Sequence, residues 1–408
     1  MPAAITEIPP VVSRYTYRYH IRAEILNSLF MGIFGLNEAV ARKGLGANDA
    51  EIIILTTGAT AFMVTAFVWG SLMEGRPKMG FFLAAAIIGR AVLLLAAVLS
   101  GSVWFVVLCC CVFLADPIFI PAQQSVLQSN YDPAWRGRML GRVTLVTRGF
   151  FILAALGAGY ALDHDHRLYR LLFPLAGVIG FLGYLQFALI RVRRSSREAA
   201  ARLPSFLETA RMFRTILRGN RDFDRFERNF LVYGVGFFLI LPANVFLLVD
   251  HLRMAYSEIS LARLVLFQVT FALLSPLAGT LFDRLRAARV ASVSFAVLAL
   301  YPLCLYFAYS LHSAALAYVG FAVFGAGMAG VNTAWSLGAL QFAGKQDASV
   351  FMGVHLTVVG VRGLFAPVIG YAVNVFFGLG AVYLAAAALF ILGALLMRRL
   401  ELKPTVGM

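Results

Sequence analysis

The sequence predicts an all-α membrane protein, with twelve transmembrane helices arranged as two pseudo-symmetric six-helix bundles. Three observations predict it. The 408 residues are 61% hydrophobic and only 13% charged, whereas ordinary soluble domains are about half apolar and about a quarter charged. The apolar residues fall into runs of roughly 20, each long enough as a helix to cross a hydrocarbon core of about 30 Å. A short junction also occurs twice, 209 positions apart. Gly70-Ser71-Leu72-Met73-Glu74-Gly75-Arg76-Pro77-Lys78 and Gly279-Thr280-Leu281-Phe282-Asp283-Arg284-Leu285-Arg286 both set a small residue, three apolar residues, an acid and then bases between two apolar runs.

In order, residues 1–19 form a tail with Pro2, Pro9 and Pro10 and no apolar core, unlike a signal peptide. The first bundle, 20–190, holds spans at 20–42, 50–74, 79–99, 102–129, 136–162 and 168–190. A basic linker occupies 191–225. The second bundle, 226–400, holds spans at 226–249, 258–283, 289–309, 312–342, 347–375 and 378–398, and a tail covers 401–408. Within the linker, Ser205 and Glu208 form an S-x-x-E capping box, and Phe206, Ala210, Phe213 and Leu217 recur at helical spacing. This reads as a basic amphipathic helix on the inner membrane surface. A plain tether between the halves is the simpler account of the same stretch.

The bases fix orientation. With both termini cytoplasmic, 25 of the 35 lysines and arginines fall on inside segments and five on outside ones, as the positive-inside rule requires. The net charge of +15 and pI near 10.0 then follow without nucleic acid. Cys109, Cys110 and Cys111 are consecutive on one apolar run and Cys304 lies in another. Successive helical residues point about 100° apart, so the triplet cannot converge on a metal, and no disulfide framework is readable.

The halves also resemble each other in later spans. Met139-Leu140-Gly141, Arg148-Gly149-Phe150 and Gly159-Tyr160 mark span five, and Phe351-Met352-Gly353, Arg362-Gly363-Leu364 and Gly370-Tyr371 mark span eleven. Two six-span halves, a basic central loop and the junction after span two resemble the major facilitator superfamily from about residue 20 to 400. That family's loop reads G-x-x-x-D-[RK]-x-G-[RK]-[RK]. In the first copy Glu74 replaces the aspartate and Pro77 stands near the second glycine. The second copy keeps Gly279, Asp283 and Arg284 but lacks the later glycine. The resemblance implies a mid-membrane cavity between the halves. It also implies a cytoplasmic gate latch at Gly70, Glu74 and Arg76 and at Gly279, Asp283 and Arg284.

Ionisable residues inside spans are costly and mark function by default. Span one aligns Glu24, Asn27, Met31 and Glu38 on one stripe, with Asn37 beside it; span three has Arg90; span four has Asp116 and, seven residues on, Gln123. Span five has Arg142 and Arg148, and the second half offers Asn244, Gln268, Asn332 near Trp335, His355 and Arg362. Two readings compete. In one, Arg148 and Arg362 bind an anionic group, helped by Asn27, Asn244, Asn332 and Gln123, since guanidinium suits carboxylate or phosphate. In the other, Arg90 neutralises Asp116, and Arg148 or Arg362 bonds to neighbouring backbone. Asp116, Glu38 and His355 are the groups that can exchange a coupling proton; Glu38 could equally be solvated and His355 could cap a core carbonyl. The outer loop Asp163-His164-Asp165-His166 has metal-ligand residue types, but spacing alone defines no zinc site.

Walker, H-E-x-x-H and G-x-S-x-G motifs are absent from the sequence, so no enzyme and no cofactor is expected. The expected function is secondary active transport of a small solute. The in-span arginines favour an organic anion; proton coupling is expected beside it without being derived from them, in a monomer whose partners are the substrate, protons and the lipid bilayer. An exporter of drugs or lipophilic solutes, and a receptor or assembly factor on the same scaffold, are the alternatives. The Ala-, Leu- and Arg-rich composition points to a bacterial inner membrane.

Overall fold

A computed structural model describes residues 10–73, 76–192, 215–285, 287–343 and 348–400, and all its regular elements are helical. Ten helices among the described residues are long and apolar enough to cross a membrane, and they coincide with the expected spans three to twelve. Spans one and two differ for physical reasons. The first helix, Val11–Phe34, starts just after Pro10, nine residues before the expected boundary, so it carries Arg14 and Arg18 in addition to Arg22 and Glu24. Span two is cut by a 3-10 turn, Phe62–Thr65, into Asp49–Ala61 and Ala66–Met73. The linker helix expected from Ser205 falls largely on 193–214, outside the described residues; 215–219 are helical.

Spans one and seven repeat an irregularity. Val11–Phe34 gives way to Asn37–Ala39 and a π-helical turn, Val40–Gly44; Arg221–Leu239 gives way to Leu241–Val245 and a π-helical turn, Phe246–His251. Such turns recur at functional sites.

By contact the chain divides into two compact units, Met1–Ala47 with Thr65–Leu203, and Asn48–Val64 with Pro204–Met408. The first half of span two, inside the expected first bundle, thus packs within the second unit. There Gly360 and Gly363 of span eleven let it come close: an added Cβ would stand 2.5 Å from Val64 and 2.7 Å from Thr60. Thr60 Oγ1 donates to the Gly363 carbonyl at 3.2 Å, and the Tyr371 hydroxyl donates to Asp49 at 3.1 Å. The segment's start is fixed by Asn48 and Glu51, which form a reciprocal capping box.

The first unit is organised around Arg90. Its side chain is 0% exposed, where the α-helix Met79–Gly89 tightens into the 3-10 run Ala91–Ala97. The guanidinium lies 3.8 Å from the Phe30 ring centroid of span one and 4.4 Å from that of Tyr184 in span six. It donates to the Tyr184 hydroxyl and sits 3.7 Å from the Asp116 carboxylate of span four. Tyr184 stacks on Phe119 with centroids 3.8 Å apart. Two glycines of span six make room: a Cβ at Gly177 would come within 2.7 Å of the Arg90 carbonyl, and one at Gly180 within 2.8 Å of Arg90 Cδ. Small residues are how membrane helices approach closely.

Removing one partner of a buried ion pair costs about 3–5 kcal/mol, and overpacking a core about 1–3 kcal/mol. Asp116→Asn is therefore expected to lower thermal stability in detergent more than Gly180→Leu, and both more than an exposed control such as Leu145→Ala. Unchanged melting of Asp116→Asn would show that Arg90 does not need its counter-ion.

Candidate functional site

Polar side chains of the first unit converge on the Arg90 knot. Glu24 and Asn27, three residues apart on span one, lie on neighbouring positions of one helix face. Gln123 of span four donates to the Glu24 carboxylate, and Arg90 Nη2 reaches Asn27 Oδ1 at 3.5 Å. Asp116 also accepts from the Tyr184 hydroxyl at 3.4 Å. The result is a linked set, Gln123 to Glu24 and Asn27 through Arg90 to Asp116 and Tyr184, in which Glu24, Asn27 and Gln123 are half-buried. Arg148, near the middle of the long helix Pro133–His164, is half-buried, and Arg142 is exposed.

Glu38 does not continue the Glu24 stripe. The helix stops at Phe34, and a turn at Gly35 and Leu36 breaks the α-helical rotation before Asn37–Ala39 begins. Glu38 ends up 7% exposed, buried rather than solvated. Asn37 Nδ2 donates to the Phe34 carbonyl at 2.7 Å across the break.

The second unit holds a different arrangement. His355 Nδ1 lies 2.9 Å from both carboxylate oxygens of Glu227, and each side chain is 3% exposed. The imidazole is flanked by the rings of Phe230 and Trp335, at centroid distances of 5.1 and 5.3 Å. Arg362 is 4% exposed. It donates to the Phe230 carbonyl at 2.7 Å, with its guanidinium 5.2 Å from the Phe238 ring centroid. Span seven leaves room for it at Gly234, where any Cβ would overlap the guanidinium. Asn244 is 5% exposed, donates to the Tyr301 hydroxyl at 2.9 Å, and lies 3.5 Å from that of Tyr383, which binds the Ala243 carbonyl. Asn244 is thereby tied to spans nine and twelve. Asn332 is exposed on span ten.

At the junctions, Gly70 lies on the helix Ala66–Met73, and Arg76 is exposed just beyond it. Lys78 Nζ folds back onto the Met73 and Arg76 carbonyls. Gly279 has open space beside its Cα on span eight. Glu74, and the side chains of Asp283 and Arg284, lie outside the described residues. On the outer loop, Asp165 caps the Arg167 amide at 2.8 Å and stands 3.9 Å from His166, both about half exposed. Among the described residues no cluster of three or more His, Cys, Asp or Glu is placed to hold a metal ion.

The residue that sequence reading misses is Glu227. With span seven taken to begin at 226, it sits on the boundary. The helix starts at Arg221 behind an Asn220 cap, which moves Glu227 nearly two turns inward. The S/T/D/N-type cap at Asn220, followed by Asp222 and Asp224 in the first turn, is the available signal.

The sequence matches the Major Facilitator Superfamily over residues 23–358 and again over 229–407. No curated protein matches it significantly. Among solved structures, a point mutant of the nucleoside transporter NupG is 12% identical with a TM-score of 0.71, covering 94% of this chain and 99% of that one. A POT family transporter in complex with 5-aminolevulinic acid is 13% identical with a TM-score of 0.70, covering 95% of each chain. The human organic anion transporter MFSD10 is 14% identical with a TM-score of 0.64, covering 95% of this chain and all of that one. At these identities the likeness is one of fold. Two family matches that together run almost end to end, on a helical chain of this layout, make it a multi-pass membrane protein belonging to the Major Facilitator Superfamily.

Proposed function

We propose that this chain is a secondary active transporter that moves a small organic anion by alternating access, coupled to protons. It acts as a monomer in a bacterial inner membrane with both termini cytoplasmic. The observation that carries the anion reading is Arg148 itself, a half-buried guanidinium mid-span on span five. The deep carboxylate Asp116 of the same unit is matched by Arg90 at 3.7 Å. A guanidinium held in low dielectric binds carboxylate or phosphate strongly. Asn27 and Gln123 supply neutral hydrogen-bonding groups in the same unit, and Arg362 adds positive charge to the second. The fold's likeness to an organic anion transporter agrees with this reading without requiring it. The junction residues Gly70, Glu74 and Arg76, with Gly279, Asp283 and Arg284, act as a cytoplasmic latch, in which an acid favours a helix N-terminus.

A second reading rests on Glu24, a half-buried carboxylate bonded to the neutral amide of Gln123. Such a group suits a lipophilic cation, and raised drug resistance in an expressing strain would be its signature.

Proteoliposomes offered a panel of radiolabelled carboxylates and organophosphates are expected to accumulate one class when an inward proton gradient is imposed, and to lose the accumulation when a protonophore is added. Accumulation indifferent to the gradient would remove the coupling. Arg148→Gln should slow uptake about 10- to 100-fold, the equivalent of a lost hydrogen bond to a charged group at roughly 1.5–3 kcal/mol; uptake at the native rate would remove Arg148 from the site. Glu74→Gln should change the transport rate while leaving the ranking of substrates intact, and a reordered ranking would count against a latch.

A further inference from the structure

We propose that the buried Glu227–His355 pair is the binding site of the coupling proton. The proposal rests on the proton-coupled reading above and deepens it by naming the groups.

The pair bridges two helices. Glu227 stands six residues after the start of the helix Arg221–Leu239, and His355 seven after the start of Ala348–Phe377. At 1.5 Å per residue both lie about 10 Å along their helices from the ends expected inside. A carboxylate only accepts hydrogen bonds, so the ring atom it faces, His355 Nδ1 at 2.9 Å from each oxygen, carries a hydrogen. In the neutral imidazole that leaves a lone pair on Nε2. Nε2 is buried and has no hydrogen-bond partner among the described residues. A buried acceptor without a donor is destabilising, and a proton on Nε2 changes it into an imidazolium already paired with a carboxylate. Aromatic rings flank the ring on two sides, Phe230 at 5.1 Å and Trp335 at 5.3 Å, and a cation near aromatic faces is favoured.

The surrounding charges make this pair able to change state. On its own helices, Arg362 lies two turns beyond His355 and within Coulombic reach of Glu227, and Tyr233 lies between Glu227 and the middle of span seven. Asp224 and Arg228 pair with each other at 2.7 Å near the exposed start of span seven. Span ten contributes the uncharged Trp335. Span twelve, Leu379–Arg398, brings no charge before Arg398, and the first segment of span two places Asp49 and Glu51 at its own start, bonded to Tyr371 and Asn48. With His355 neutral, Glu227 and Arg362 cancel. A bound proton leaves the cluster with one net positive charge in a medium that penalises it. A bound anion relieves that penalty, so proton and anion each favour the other's binding, by the reciprocity of linked sites. The pair therefore predicts symport. Asp116 is less suited, because protonating it would strand the fully buried Arg90.

The test needs no substrate. The full-length protein in vesicles of phosphatidylethanolamine and phosphatidylglycerol is stepped from alkaline to acid pH. Infrared difference spectra and a pH-sensitive dye then record group protonation and proton release. The wild type is expected to show imidazole and carboxylate bands that change together, as a coupled pair should. His355→Gln, which keeps a donor for Glu227, should lose them and release one proton fewer per chain. Glu227→Gln should remove the carboxylate band and shift the imidazole band. A His355→Gln protein that melts like the wild type and still releases the full proton complement would overturn the assignment, even if Glu227→Gln fails to fold. Gradient-driven uptake of the carboxylate or organophosphate identified by the panel separates the two claims. Uptake that stays gradient-driven in His355→Gln rejects the pair as the coupling site. A wild type whose pair titrates but which accumulates nothing with the gradient rejects proton coupling itself.

Discussion

A guanidinium that cannot leave the bilayer has to be answered from inside the protein, and Arg90 sets that demand on the first unit. With no exposed surface, it needs a counter-ion, hydrogen-bond acceptors and aromatic faces drawn from several helices. Span one gives Phe30 and Asn27, span four gives Asp116, and span six gives Tyr184, while Gly177 and Gly180 remove side chains that would fill its place. Each of these choices restricts its neighbours. Tyr184 can reach Arg90 because it stacks on Phe119, one turn from Asp116. A single buried charge thereby fixes the packing of four spans, and the half-buried Glu24 and Gln123 lie at the edge of that fixed frame.

The second unit handles buried charge without such a closed knot. Arg362 hands one nitrogen to the Phe230 carbonyl and rests on aromatic rings, while its Nε has no partner among the described residues. Glu227 is shared with a histidine rather than held by a permanent cation. The sequence repeat that pairs Arg148-Gly149 with Arg362-Gly363 therefore does not extend to equivalent roles. Arg148 is half-buried and Gly149 faces open space, whereas Arg362 is enclosed and Gly363 is pressed against Thr60. Similar sequence motifs in the two halves thus sit in different electrostatic surroundings.

This divergence explains what can be read from the chain and what cannot. Apolar runs, bases on loops and the repeated junction specify a helical membrane protein and its layout, because they reflect the bilayer's thickness and polarity. Individual pairings across helices depend on rotation and helix starts. Glu38 falls on the Glu24 stripe only along an unbroken α-helix, and the helix breaks at Gly35 and Leu36 before reaching it. Glu227 escapes notice when the helix boundary is set five residues late. The break at Phe62–Thr65, which leaves the first half of span two to the second unit, has no proline or glycine to announce it; the close approach at Gly360 and Gly363 is a tertiary fact.

The contrast between the units also bears on where coupling can reside. A group that carries a proton must be stable with and without it, so its surroundings cannot depend on one charge state. On the proposed coupling Asp116 is the less suited group, since its neutral form would leave Arg90 without the carboxylate 3.7 Å away. Glu227 and His355 meet the condition: the carboxylate retains a hydrogen-bond donor in either state of the imidazole, and Arg362 retains a carbonyl. The same reasoning assigns the two units separate tasks. In the proposed cycle the first unit keeps its deep charges constant and Arg148 defines what is bound, while the second varies its charge by one proton and ties binding to the gradient.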